Sequence, residues 1–217
     1  VINILESDGM LGLQGIALET LLIILKKFRG IPAIIHNQIL DKLCKIIRSM
    51  NTTTTPIILH NIPTLIRIFD QKSEVFIPDL IELIFKNWGK VDMLTLLTDI
   101  KWMVYKLPSI VEPYAVRLLS LFVPCLSIAE PKEAESIFVV IACFGKLVAP
   151  VDVMIMENLI PWIEGHIHDT ETAAYALEKF ADILKNFSTK KFFVRIYRTM
   201  IMITKENKEL IPKVIDV

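Results

Sequence analysis

Glycine is scarce in this chain, seven residues in 217, too few for the many tight turns of a β-rich domain. Sustained alternation of apolar and polar residues, the mark of a half-buried strand, is missing as well, and the two absences together argue against a sheet protein. Cysteine is equally sparse. Cys44, Cys125 and Cys143 are odd in number, far apart and set among apolar neighbours, which predicts buried free thiols in a reducing compartment rather than a disulfide framework. That places the chain in the cytoplasm, with the nucleus or the periphery of endomembranes as further addresses. There is no excess of either charge: 24 Lys plus Arg balance 24 Asp plus Glu. The balance excludes a dedicated nucleic-acid binder and a polybasic membrane-surface protein. Long apolar runs are absent too. A stretch such as Ile137 to Gly145 falls far short of the roughly 20 residues that a bilayer requires, so no membrane span is expected. Nothing near Val1 has the charged leader, apolar core and cleavage site of a secretory signal.

What the chain does have is apolar content, 53% of its residues, enough for a continuous core. These residues recur at steps of three and four, as in Leu13, Ile16, Ala17, Leu21, Ile24, Leu25 and Phe28, or Ile39, Leu43, Ile46, Ile47 and Met50, which is the period of an α-helix. Breaks fall near Gly30 to Pro32, Asn51 to Pro56, Gln71 to Ser73, Gly89, Pro108, Glu130-Pro131, Pro150, Asp169 and Ser188. They cut the chain into ten or so helices with short connections. Taken in pairs, the second helices begin near Asn37, Ile77, Glu112, Met154 and Lys190, a spacing of roughly 33 to 45 residues that is the range of helical-hairpin repeats. Pro78, Pro113 and Pro161 each follow an apolar or acidic residue near such a start, and proline fits the first helical turn, where its missing N–H has no partner to lose. Gly12, Gly15, Ala173, Ala174 and Ala176 would allow close approach of neighbouring helices. The fold expected is all-α, an α-α superhelix of the HEAT/armadillo type with about five antiparallel helix pairs, forming one array over residues 1–217. Leu210 to Ile215 reads as the start of another amphipathic helix, and no polar capping repeat stands at either end, so the array is expected to be a fragment of a longer protein.

No catalytic, cofactor-binding or metal-binding residue emerges. His166 and His168, beside Glu164 and Asp169, form the one cluster that suggests a metal. Residues two apart on a helix point to nearly opposite sides and cannot chelate together, so these are read as helix-end histidines. His36 and His60 are isolated and read as cap or loop residues. Gly9, Gly12 and Gly15 fit neither the dinucleotide fingerprint nor the phosphate loop. Cys143 sits among apolar residues with no charge to activate it and reads as core. Trp88, Trp102 and Trp162 read as core or inter-repeat wedges. Lys190, Lys191, Arg195, Arg198 and Lys205 make the most basic strip, a solvated helix face diluted by Glu206 and Glu209. Asn51 to Pro56, with four threonines in a row, reads as a linker with a threonine cap.

Several stretches resemble the HEAT region that precedes the kinase domain in target-of-rapamycin (TOR) kinases. Phe76 to Trp88, FIPDLIELIFKNW, is followed by a helix and then by residues 111 to 126, VEPYAVRLLSLFVPCL. The family has an analogous helix ending in an aromatic-Trp pair and a next repeat opening with an aromatic, a proline and an apolar run. Residues 159 to 199 resemble a TOR repeat pair in which an acidic turn leads to an alanine-containing helix and Lys190-Lys191-Phe192 opens the next. Weaker likeness runs from Leu18 to Ile68. The chain departs from the family at Arg195, where a proline is usual, and at Asn87-Trp88 in place of aromatic-Trp. The resemblance implies the scaffold arm of a serine/threonine protein kinase in nutrient and growth signalling. It implies other protein subunits of a large complex as partners, with no nucleic acid, small-molecule substrate or cofactor bound by this segment. The competing expectation is a non-enzymatic HEAT adaptor in transport, trafficking or the cytoskeleton.

Overall fold

The computed structural model describes residues 11–27, 33–49, 54–145, 152–185 and 191–212. Every regular element among them is helical, so the chain is an all-α protein. Contacts divide it into two compact units, Val1–Val111 and Glu112–Val217.

The first unit contains α1 (Leu11–Lys27), α2 (Ala33–Ser49), α3 (Thr54–Phe69), α4 (Ile77–Asn87) and α5 (Met93–Lys106), and a single turn, Pro108–Val111, closes it. Here α1 packs on α3 and α3 on α5, while α2 packs on α4. The second unit contains α6 (Ala115–Phe122), α7 (Pro131–Phe144), α8 (Asp152–Gly165), α9 (Thr170–Leu184) and α10 (Phe193–Glu206), with a 3-10 stretch, Val123–Ile128, after α6. In this unit α7 packs on α9 and α8 on α10. Within each unit a helix thus packs on the helix two places along as well as on its neighbour.

Polar side chains tie these helices at nearly constant separations. In the first unit Lys26 donates to Asn61 Oδ1 at 3.3 Å, Lys72 to Asn37 Oδ1 at 2.9 Å and Arg48 to Asp79 Oδ2 at 2.9 Å. In the second, Thr199 donates to Glu164 Oε1 at 2.7 Å and Thr170 to Asn207 Oδ1 at 2.9 Å. The partners are 35, 35, 31, 35 and 37 residues apart.

The helix ends follow from local chemistry. Glu130 caps α7 in a reciprocal box with Glu133, with a proline in the first turn, which satisfies orphan N–H groups at both positions. Asp92 caps α5 by accepting from the Thr95 N–H at 2.8 Å, and Asp169 caps α9. Gly89 lies at φ +77° and Gly145 at φ +49°, conformations in which a side chain would be strained; they end α4 and α7. The break expected at Gln71 to Ser73 is a 3-10 turn, Asp70–Val75, across which Phe69 and Phe76 meet edge to face.

Several expectations need correction. Ile77 is the first residue of α4 as expected, and α8 starts two residues before Met154, but Asn37 lies four residues inside α2 and Glu112 opens a 3-10 turn before α6. Lys190 is outside the described residues. Pro161 is not at a helix start: it stands inside α8, as Pro63 stands inside α3. Each removes the N–H that would bond four residues back. In α1 the buried stripe is Ala17, Leu18, Leu21, Leu22 and Leu25, whereas Leu13, Ile16 and Ile24 are exposed; Phe28 is outside the described residues. Of the cysteines, none of which is in a disulfide, only Cys44 is buried, and Cys143 is half-buried rather than core.

Among the described residues one helical stretch, Pro108–Ile128, is long and apolar enough to cross a membrane by length and composition alone. Its Val111, Ala115, Leu118, Leu119, Phe122 and Leu126 are all buried, while Glu112, Arg117 and Ser120 are exposed. That one-sided pattern is also that of a core helix.

Candidate functional site

The residues weighed from the sequence do not converge. His166 donates its Nδ1–H to the Trp162 carbonyl, 2.8 Å away, and its ring stacks on the Trp162 indole at 4.1 Å and 20°. His168 faces Glu206 at 3.5 Å on the surface. Both stand in the turn beyond Gly165, the last residue of α8, rather than on the helix itself, and the two rings serve different partners. No group of three or more His, Cys, Asp or Glu that could hold a metal occurs among the described residues. His36 lies within α2 and His60 within α3, not in caps or loops.

Of the tryptophans only Trp162 is core; Trp88 and Trp102 are half-buried. Trp162 meets Phe138 edge-on at 5.3 Å, and its indole N–H is buried without a partner. Of the glycine triplet, Gly12 and Gly15 lie in the opening turns of α1 and Gly9 lies outside the described residues. Thr54 and Thr55 are buried in the first turn of α3; Asn51 to Thr53 lie outside the described residues.

The basic strip on α10 is real but mixed. Lys191, Arg195, Arg198 and Lys205 are exposed, and Arg195 lies 3.8 Å from Glu164. Between them Phe193, Val194 and Tyr197 are also exposed, at 59 to 70%, and Phe193 and Tyr197 stack. The inward face of α10 carries Thr199, Met200 and Ile203.

The most unusual chemistry lies where none was sought. Asp99, on α5, is 1% exposed, and its Oδ2 is buried with no hydrogen-bond partner. Burial pushes its carboxyl up to about 8, because the ionised form loses its water without gaining a counter-charge. Asp99 borders a cleft of about 280 Å³ between α3 and α5. From α3 the lining is His60 and Pro63; from α5 and its cap it is Asp92, Leu94, Thr95 and Thr98. Asp99 is the one buried residue of this set. Asp92 is already engaged by the Thr95 N–H and hydroxyl, at 2.8 and 3.0 Å.

The sequence held one signal for this site. Leu96, Leu97, Ile100, Met103 and Val104 form the buried stripe of α5, and Asp99 falls on it, three after Leu96 and four before Met103. An acid on an apolar stripe is a buried polar group in need of a partner.

No protein-family model matches this sequence, and no curated protein is significantly similar to it.

Proposed function

We propose that the chain is a HEAT-type α-solenoid array that acts as a protein-interaction scaffold, the architectural arm of a TOR-like serine/threonine protein kinase in growth signalling. The observation that carries the scaffold reading is the packing of α1 on α3, α2 on α4 and α3 on α5 in one unit and of α7 on α9 and α8 on α10 in the other, with polar ties 31 to 37 residues apart. Stacked hairpins of that period bury their apolar stripes only against one another, and the outer faces of such stacks serve as docking surfaces. The kinase part of the reading rests on the likeness of residues 76–88, 111–126 and 159–199 to TOR repeats. It places no catalytic residue in this chain.

The test is the reading frame of the full-length transcript on both sides of this segment. A protein kinase domain downstream, with its catalytic-loop and metal-binding aspartates, is the expected result. A frame holding further repeats and no kinase domain would overturn the kinase reading and leave a non-enzymatic adaptor.

A further inference from the structure

Helix α10 is apolar on two sides and covered on one. Its buried residues, Thr199, Met200 and Ile203, lie on the side that packs on α8 and on the 3-10 turn Lys208–Leu210. At about 100° per residue the opposite side is centred on Val194 and Ile201, with Phe193 and Tyr197 beside them. All four are exposed, and the Phe193 and Tyr197 rings stack at 6.3 Å and 10° into one flat surface. A helix that is apolar on opposite sides is suited to being covered on both.

The charges beside this stripe are ordered. Lys191, Arg198 and Lys205 recur at seven-residue steps and all three are exposed; seven residues is the step at which helix positions return to one line. Val194 and Ile201 keep the same step, so within α10 a basic line, Arg198 and Lys205, runs next to an apolar one. Residues 191–205 contain no acid. The remaining cation, Arg195, lies 3.8 Å from Glu164, and Glu206 lies 3.5 Å from His168, so these two contacts belong to the flank that faces α8 and the turn after it.

We propose that the outward face of α10 docks an amphipathic helix of a partner protein, one that carries Asp or Glu at seven-residue steps beside its own apolar stripe. Such a helix lies along α10, covers Val194, Tyr197 and Ile201, and sets its carboxylates against Arg198 and Lys205 at the rim, where charge pairs select partner and orientation. A second copy of the chain fits less well, because its α10 would bring apolar residues but no carboxylate to this line. An anionic bilayer also fits less well. On the helix wheel Arg198 and Lys205 fall between Val194 and Met202, so the apolar residues on both sides could enter lipid only by drawing the cations in with them. The proposal rests on the scaffold reading only in taking the occupant to be a protein.

The experiment titrates the isotopically labelled chain with a synthetic peptide of about three heptads and follows backbone amide resonances by NMR. The peptide carries Leu at its a and d positions and Glu at e and g, where like charges keep it from pairing with itself; a twin carries Lys in place of every Glu. Saturable shifts along residues 193–205 are expected with the Glu peptide, weaker by about tenfold or more with the Lys peptide, and with the preference reversed in the double variant Arg198→Glu, Lys205→Glu. Both side chains are exposed, so the exchange leaves the core intact. Equal response to the two peptides, no saturable shift with either, or an unreversed preference in the variant would overturn the proposal. So would any other occupant: dimerisation in sedimentation that Val194→Glu abolishes, binding to phosphatidylserine vesicles tighter than to the Glu peptide, or loss of the peptide response in a longer form of the protein whose further residues cover α10. A reading frame without a kinase domain changes none of these results, so the two readings fail separately.

Discussion

Two aspartates in similar helical settings have opposite fates. Asp169, in the turn between α8 and α9, accepts from the Thr172 hydroxyl at 2.6 Å and from the Glu171 and Thr172 N–H groups at 3.2 and 3.4 Å. Those donors hold its carboxyl below the usual range, the Thr172 side chain contributing most. Asp99 lies about two turns further into its helix than a capping residue, on the apolar stripe, and has burial without donors. Its carboxyl is pushed up instead. The lesson is that position relative to the helix start, rather than residue type, sets the charge. The first turn offers orphan N–H groups to an acid, while the interior has already used them.

The largest expected effect breaks the comparison at Asp99. Its folded pKa is raised above the unfolded value, so between about pH 4 and pH 8 unfolding releases a proton and stability falls as pH rises. The loss approaches roughly 1.4 kcal/mol per pH unit within that window, several kcal/mol in all, and is absent at more acid pH. Urea denaturation across pH 4 to 9 should show this slope in the unsubstituted chain and lose most of it in Asp99→Asn. An unchanged slope in the variant would mean that Asp99 is solvated in the folded state.

Next in size, Trp162→Ala removes the platform under the Asp169 turn, on which His166 stacks and against which Phe138 packs. A loss of about 3–5 kcal/mol is expected from the cavity. Trp162→Phe keeps a ring and discards the buried indole N–H that has no partner, and should cost far less. Similar losses for the two variants would show that the N–H, not the ring, matters.

Asn207→Ala sharpens the comparison from the other side, because Asn207 accepts from the Thr170 hydroxyl at 2.9 Å and donates to the Ile167 carbonyl at 2.8 Å. Both bonds clamp the Asp169 turn to the end of α10. About 1–3 kcal/mol should be lost on denaturant unfolding, with faster amide exchange confined to residues 166–172. Exchange that quickens throughout the unit would mark Asn207 as a general core residue instead.

The smallest effect is Asp169→Ala, read as a modest drop in Tm near neutral pH. The folded pKa here is depressed, so the contribution is present above the ordinary carboxylate range and disappears as pH falls through the lowered value. The Tm difference between the parent and the variant should therefore vanish in strong acid. A difference that persists there would mean the cap acts through shape rather than charge.

Much of the helical layout was legible in the residues. Asp92, Glu130 and Asp169 are capping residues with donors or acceptors at fixed offsets, and Gly89 marks a turn only glycine takes easily. These signals are local, so they survive whatever packs around them. Pro161 was misplaced because proline looks the same at a helix start and inside a helix whose neighbours supply enough burial to offset the lost bond. The α1 stripe was misassigned because Ile16 and Ala17 satisfy the same period, and the partner α3 selects which face is covered. His60 reads as a cap or loop residue because helix propensity does not fix where α3 begins, and Trp88 and Trp102 read equally as core or as inter-repeat wedges because size and apolarity do not fix depth. For Asp99 the sequence offers one signal, its place on the apolar stripe of α5, and only the packing of α3 shows that this stripe is covered.

The sequence by itself determined the all-α class, the helical period and the chemistry of the caps, because each depends on residues within a few positions of one another. Only the tertiary structure decided which faces are covered and which carboxyl loses its water. Solvation depends on every helix that packs nearby, and for Asp99 those are brought together across α3 and α5 from nearly 40 residues apart.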